Sequence, residues 1–282
     1  MRLASELNAD LHSHSTVSDG TLTPRELVLR AARQGVELLA LTDHDELGGL
    51  AEASACASEI GLDFVPGVEI SVTWAGRTVH VVGLGIDATD RALRDGLAGV
   101  RSGRTGRARQ MAEQLAAAGI DGAFDGALQY VGNPELISRT HFARFLLERG
   151  VCRNMREVFS RFLVEGRPGY VPHRWAKLSE AVRWIVGAGG VAVIAHPGRY
   201  RLTENELWSL ATEFRELGGA GLEVITSNHG MAEARRFAEL ALEFGFAASR
   251  GSDFHGPGES DVELGRVGAL PSRLPPVWQR FL

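Results

Sequence analysis

Short apolar segments that alternate with helical segments run through most of the 282-residue chain, and this alternation constrains the fold more than any other feature. Strands are predicted at residues 7–12, 36–42, 62–72, 77–86, 191–195, 221–226 and 247–252. Helices are predicted at residues 24–34, 46–60, 178–187, 204–217 and 231–244. Because apolar strands that alternate with helices build parallel sheets, the pattern predicts an α/β fold. About seven strands favour a distorted (β/α)7 barrel similar to a TIM barrel.

A long helical block interrupts this alternation. Residues 90–169 contain helix and loop signals but no strong strand signal. We therefore predict a barrel domain formed by residues 1–99 and 173–282. An inserted helical cap domain, which would help to bind substrate, is predicted at residues 100–172.

The composition is that of a globular protein able to bury a core, with 44% hydrophobic and 23% charged residues. No run approaches the ~20 apolar residues of a membrane span, and residues 1–10 contain no apolar signal region. We expect a cytoplasmic protein without membrane attachment, and no obligate protein partner is evident.

The net charge of −5 argues against a general nucleic-acid coat protein. Cys56 and Cys152 do not suggest a disulfide framework, and we expect both to be packing residues.

Histidines and acidic residues recur at or near the ends of the predicted strands. The positions are His12, His14 and Asp19 after the first strand, His44 after the second, Glu69 in the third, His80 in the fourth, and His196, Asp253 and His255 after later strands. Active sites of parallel α/β folds gather at the carboxyl ends of the strands. A single histidine there is more often structural, but nine such residues at one rim predict a shared site.

Imidazole and carboxylate ligands together suit zinc, manganese or iron. Nine ligands are too many for one ion, so we expect two or three divalent ions with Glu69 as a bridging carboxylate. A closely spaced pair of ions can generate hydroxide at neutral pH and hold a phosphate in line for attack. The pattern therefore predicts a phosphoesterase in which Glu69, His196 and Asp253 are the candidate catalytic residues.

Five sequence motifs, together with His80, resemble those of the PHP (polymerase and histidinol phosphatase) family in type and order. The motifs lie at residues 10–14, 42–45, 67–69, 195–197 and 251–255. The resemblance implies a distorted seven-stranded barrel with three metal ions. It also implies three ligand groups: His12, His14, Glu69 and Asp253; Glu69, His80 and His196; and Asp19, His44 and His255.

Within that family, the chain looks most like the RNase AM/TrpH branch. The features are residues 18–21, 40–45 and 169–172, and the helical insertion. This likeness implies a phosphoric-ester hydrolase, with manganese as the best-fitting cofactor. The implied substrates are nucleoside 3′,5′-bisphosphates such as pAp and short RNA with a 5′ phosphate, degraded 5′→3′.

Cationic and polar groups near the predicted rim are candidates for binding the substrate phosphate, because arginine presents a bidentate fork of donors. Arg139 and His141 begin a predicted cap helix, Arg199 follows His196, and His173 follows the cap. Each could instead be an ordinary loop or helix-start residue. Arg101, Arg104, Arg107 and Arg109 form a solvated helix face or, alternatively, guide RNA phosphates.

Several further residues have two interpretations each. Asp43 and Asp45 could orient ligand histidines, or Asp45 could cap the following helix. Glu223 could support a ligand or be an ordinary polar residue of its strand, and Trp175 is expected to pack at the rim rather than stack a base.

Other activities remain open at this point. A C–N hydrolase of the amidohydrolase type shares the barrel, but many of these enzymes use a bridging lysine near the fourth strand. The only lysine here is Lys177, far beyond that strand. A histidinol-phosphate-type phosphatase is a closer alternative, which the cap disfavours. A non-catalytic PHP module is disfavoured by the complete set of ligands.

Overall fold

A computed structural model describes residues 7–282 of the chain. Its strands are β1 (Ala9–Asp10), β2 (Leu38–Leu41), β3 (Asp63–Trp74), β4 (Arg77–Leu84), β5 (Ala176–Lys177), β6 (Val191–Ile194), β7 (Gly221–Thr226) and β8 (Ala247–Gly251). Its α-helices are α1 (Pro24–Arg33), α2 (Leu50–Ile60), α3 (Arg91–Arg101), α4 (Arg104–Ala117), α5 (Ala123–Leu128), α6 (Arg139–Glu148), α7 (Met155–Val158), α8 (Leu178–Gly187), α9 (Glu204–Glu216) and α10 (Met231–Phe244).

The strands form one sheet in the order β1-β2-β3-β4-β6-β7-β8, and the short strand β5 pairs with β3 outside this path. The two ends of the sheet meet, because the Leu11 N–H donates to the Arg250 carbonyl at 3.0 Å and Ser13 pairs in parallel with Phe254. The sheet is thus a distorted barrel of seven strands surrounded by helices, which confirms the predicted fold class.

Strand β4 departs from the expected parallel arrangement, since it runs antiparallel to both β3 and β6. The cause is the tight turn at Ala75 and Gly76, where φ is +46° and +76°. Two-residue turns of this kind join antiparallel strands. The amino-terminal half of β4, which contains His80, therefore lies at the same rim as the carboxyl ends of the parallel strands.

Two separate apolar clusters fill the interior. The larger lies between the barrel and its helices, and α1 shows how a helix joins it. Thr23 and Glu26 form a capping box that starts α1, and Leu27 and Val28 are buried against the sheet. The second cluster lies within residues 108–171 and is centred on fully buried side chains such as Phe142. The helical block thus has its own apolar core, while the domain boundaries at residues 100 and 172 stay a prediction.

Helix α2 begins at Leu50, four residues later than predicted. Asp45 adopts a left-handed φ of +52°, which interrupts the helical path, and Gly49 takes the N-cap position without a side-chain hydrogen bond. The interpretation of Asp45 as the helix cap is therefore wrong.

None of the helices in residues 7–282 is long and apolar enough to cross a bilayer. Cys56 and Cys152 are both buried free thiols.

Candidate metal centre

The nine predicted ligands converge at one rim of the barrel. Glu69 is at their centre, because five imidazoles of the described chain lie within 3.3 Å of its carboxylate oxygens. Its Oε2 lies 3.2 Å from a ring nitrogen of His12, 3.3 Å from one of His14 and 3.0 Å from one of His44, and its Oε1 lies 2.7 Å from His80 and 2.8 Å from His196. Asp19 and Asp253 lie beside this group, each within 3.4 Å of a histidine.

The ligand atoms form three groups whose members lie within 4.8 Å of one another: His12, His14, Glu69 and Asp253; His44, Glu69 and His80; and His14, Asp19, His44 and His255. The first group matches the first predicted site. The second and third overlap the other two predicted sites, with His44 shared between them. His196 lies outside these three groups but contacts Glu69 directly through Nε2.

The charges of the cluster hold its carboxylates ionised in spite of burial. Burial alone would raise the pKa of Glu69, but the surrounding imidazoles, led by His44 and His80, hold it well below its usual range. Burial likewise opposes ionisation of Asp253, and the Arg199 guanidinium keeps its pKa low. Burial disfavours charge on His14, yet the adjacent carboxylates of Asp253 and Glu69 raise its pKa to about 10. The rim therefore has a strong affinity for positive charge.

Divalent ions fit this donor set. Among the described residues, the buried atoms His12 Nε2, His14 Nδ1, Asp19 Oδ1 and Glu69 Oε2 lack a hydrogen-bond partner. When His12 is neutral and donates from Nδ1 to Glu223, the lone pair of its Nε2 faces Glu69 Oε2. Two lone pairs at this distance are stabilised by a cation between or beside them, and a mixed imidazole and carboxylate set is typical of transition-metal sites.

Two residues outside the cluster fix the position of its histidines. The Glu223 carboxylate accepts from His12 Nδ1 at 2.7 Å and from the His196 backbone N–H at 2.6 Å. Sequence reasoning left the role of Glu223 open, and the structure assigns it to ligand support. Tyr200 was not identified from sequence. Its hydroxyl accepts from the His80 N–H at 2.9 Å and donates to the Ala195 carbonyl at 2.6 Å, so it connects β4 to the residue that follows β6.

Asp43 and Asp45 hydrogen-bond to other parts of the chain and not to the ligand imidazoles. Asp43 accepts from the Ser15 N–H, the Ser15 hydroxyl and the Ser18 hydroxyl, and so shapes the loop between His14 and Asp19. Asp45 accepts from the N–H and the hydroxyl of Ser71 and is paired with the buried Arg104 of α4. The hypothesis that these two aspartates orient histidines directly is therefore wrong.

A cavity of about 480 Å³ opens onto the cluster and is walled on its other side by the helical block. Arg104, Arg107 and Arg139 line this wall, with Arg199 and His173 nearer the barrel. Burial lowers the pKa of Arg107 to about 9, and the neighbouring charges of Arg139 and Arg104 add to the effect. Arg104 is paired with Asp45, whereas neither Arg107 nor Arg139 has a salt bridge with a carboxylate of the described residues, so the wall is cationic.

The arginine run of α3 and α4 is mostly not a solvated helix face. Arg104 is 5% exposed and packs over the Trp175 ring, with Arg107 above the same ring. Arg101 donates to the Asp45 carbonyl, while Arg109 stacks on Phe124 at the surface. Trp175 packs at the rim, as expected, and its indole N–H donates to Thr78.

The other predicted substrate residues differ in their access to the cavity. Arg199 is 41% exposed, lies 2.5 Å from Asp253 and lines the cavity. His173 contacts Trp175 edge to face. His141 is fully buried and does not line the cavity, because its Nδ1 accepts from the Ser138 N–H in the capping box that starts α6. Its position gives no support to a direct substrate contact.

A barrel with clustered imidazoles and carboxylates at one rim, facing a cationic wall, is the architecture of a metal-dependent hydrolase of phosphate esters. The model of the PHP domain family matches residues 10–236. The chain belongs to the PHP domain family.

Two curated relatives are similar over almost the whole chain. A 3′,5′-nucleoside bisphosphate phosphatase of Chromobacterium violaceum is 53% identical over 274 residues, covering 97% of this chain and 96% of that protein. The 5′-3′ exoribonuclease Rnm of Escherichia coli is 43% identical over 272 residues, covering 96% of this chain and 92% of that protein. Both relatives are hydrolases of phosphate esters, and this chain is an enzyme of the same kind.

Two solved structures share the fold. A Chromobacterium violaceum protein described as an amidohydrolase, with bound sulfate and no metal, has a TM-score of 0.94 and 52% identity, covering 97% of this chain and 95% of that chain. A putative metal-dependent phosphoesterase of Bifidobacterium adolescentis has a TM-score of 0.81 and 30% identity, covering 95% of this chain and 92% of that chain.

Proposed function

We propose that this enzyme hydrolyses the 3′ phosphate ester of a nucleotide that also carries a 5′ phosphate. With a nucleoside 3′,5′-bisphosphate such as pAp, the products are a nucleoside 5′-monophosphate and phosphate. With short 5′-phosphorylated RNA, the same bond cleavage releases a nucleoside 5′-monophosphate and leaves a new 5′ phosphate on the shortened chain. One specificity thus accounts for both activities named among the relatives.

The observation that carries this proposal is that one cavity is lined both by the ligand cluster around Glu69 and by a group of arginines on the opposite wall. The ligand cluster around Glu69 suits the phosphate that reacts. The wall formed by Arg104, Arg107 and Arg139 suits a second phosphate, because buried arginines bind phosphate oxygens through charge-assisted hydrogen bonds. A substrate with a single phosphate would leave this second region unused.

The cluster would hold two or three divalent ions, and we propose manganese, with iron or zinc as alternatives. His12, His14, Glu69 and Asp253 would form one site; Glu69, His80 and His196 another; and Asp19, His44 and His255 the third. Such ions supply a nucleophile at neutral pH by lowering the pKa of a bound water, and they neutralise phosphate charge.

The side chains of the chain itself have three tasks in this proposal. Glu223 orients the imidazole of His12 and holds the backbone N–H of His196, and Tyr200 holds the backbone N–H of His80. Arg199, beside Asp253, donates to an oxygen of the reacting phosphate. Glu69, His196 and Asp253 border the reacting atoms as the candidate catalytic residues. No protein nucleophile is required, and we propose that the enzyme acts in the cytoplasm.

Hydrolysis of C–N bonds has less support, although one similar structure is described as an amidohydrolase. The single lysine of the chain, Lys177, has an exposed side chain on β5 at the start of α8. It therefore offers no bridging carbamate near the cluster, where the Glu69 carboxylate already contacts five imidazoles.

A panel of four substrates tests the proposal: pAp, 5′-AMP, histidinol phosphate and a 5′-phosphorylated tetraribonucleotide, each with added Mn²⁺. We expect release of phosphate from pAp and of 5′-mononucleotides from the RNA. Because a charged hydrogen-bonded contact contributes about 1.5–3 kcal/mol, kcat/KM for 5′-AMP and histidinol phosphate should be about 10–150-fold lower. Equal rates with histidinol phosphate, or no hydrolysis of pAp and RNA, would contradict the proposal.

A further inference from the structure

We infer that Arg144, on helix α6 of the helical block, is a positioning residue for the third cation site. It holds together the two loops that carry Asp19 and His255. This inference rests on the proposed metal centre and adds a task for the helical block, which would help to build the metal site as well as cover it.

The contacts of Arg144 join three parts of the chain at one guanidinium. Its Nη2 donates to the Asp19 carbonyl at 2.6 Å. Its Nε and Nη2 donate to the two carboxylate oxygens of Glu259 at 2.8 and 2.7 Å. The side chain is only 7% exposed. A buried, bidentate arginine has little freedom to move, so it fixes the distance between its partners.

Both partners belong to loops that carry a predicted ligand. Asp19 supplies its own carboxylate, whose Oδ1 lies 3.4 Å from His255 Nε2. Glu259 follows His255 in the same tight loop, where the His255 N–H donates to the Ser260 hydroxyl and the Ser260 N–H donates to the Gly256 carbonyl. Arg144 therefore ties the backbone beside one ligand to the loop of the other.

A second contact from the same helix supports this assignment. Ser138, the N-cap of α6, donates from its hydroxyl to Asp19 Oδ2 at 3.2 Å. Within the described residues, the hydrogen bonds of Arg144 reach none of the other eight predicted ligands. The effect of removing Arg144 should therefore be selective for the Asp19, His44 and His255 site.

The test is a titration of metal-free, full-length protein with Mn²⁺ by calorimetry, with bound manganese counted by mass spectrometry after desalting. We expect wild-type protein to bind three ions per chain. Arg144→Met should keep two, with the Kd of the third raised about 10–100-fold, as is typical when a residue that orients a metal ligand is lost. Arg144→Lys should give an intermediate Kd, because an ammonium group cannot make the bidentate contact.

Two further variants separate positioning from general destabilisation. Glu259→Gln keeps the volume and leaves the bond from Arg144 to Asp19, so it should raise only the third Kd and by a smaller factor. It also provides the test if Arg144→Met does not fold. Arg149→Met, at the exposed end of the same helix and bonded to the Asp121 carbonyl, should leave all three Kd values unchanged.

The inference is overturned if wild-type protein binds fewer than three ions, if Glu259→Gln and folded Arg144→Met bind all three normally, or if all Kd values rise together. A wild-type protein that hydrolyses none of the four substrates would instead refute the proposed function. The two failures are distinguishable, because the metal count requires no turnover.

Discussion

At the scale of single residues, we predict that the charged side chains of the cavity wall determine which phosphate esters the enzyme accepts. Arg107 shows this best, because burial and neighbouring arginines lower its pKa to about 9 and an anion would relieve that repulsion. We predict that Arg107→Met raises KM for pAp about 10–150-fold with a much smaller change in kcat. Steady-state kinetics measures this, with Arg109→Met as the control, because Arg109 lies on the same helix and stacks on Phe124 outside the cavity. Equal effects of the two variants would contradict the assigned wall.

The residues that sequence reasoning identified differ in kind from those it missed. The ligand positions were recognisable because histidines and acids at strand ends have few structural explanations when so many recur. Arg104 could not be assigned, because its partner Asp45 lies 59 residues earlier in the chain. Nothing in the sequence around Tyr200 indicates that its hydroxyl bridges two strands. Long-range polar pairs of this kind exist only once the fold has formed.

At the scale of secondary-structure elements, the helical block has an apolar core separate from that of the barrel. Phe142 of α6 is fully buried at the centre of that core. We predict that Phe142→Ala lowers the free energy of unfolding of this block by about 3–5 kcal/mol. In hydrogen-exchange measurements, amide exchange should accelerate within residues 108–171 far more than in β2 or β7. An equal acceleration in the barrel strands would mean that the block and barrel unfold as one unit.

Secondary-structure elements were predicted well where their bounds depend on local sequence and not on long-range contacts. The predicted helix at residues 231–244 has the observed bounds of α10, and in the structure the left-handed Gly245 ends it. The start of α2 was predicted too early, because the left-handed φ of Asp45 is maintained by contacts with Ser71 and Arg104 rather than by local preference. The antiparallel direction of β4 follows from the turn at Ala75 and Gly76, a local signal whose consequence for the barrel emerges only with all strands in place.

At the scale of the whole molecule, the barrel brings residues that are distant in the sequence to one rim. Ser13 and Phe254, neighbours of the first and last ligands, pair directly where the barrel closes. Closure therefore assembles the site, and the helical block adds the cationic wall opposite. A chain with net charge −5 thereby presents one cationic wall, opposite the ligand cluster, to an anionic substrate.

The most direct test of the central claim is an anomalous difference map from crystals grown with Mn²⁺, recorded near the manganese absorption edge. We predict two or three strong peaks among the nine ligands, at least one of them beside the Glu69 carboxylate. The absence of any peak at this rim in fully active crystals, or strong peaks only elsewhere on the chain, would contradict the account.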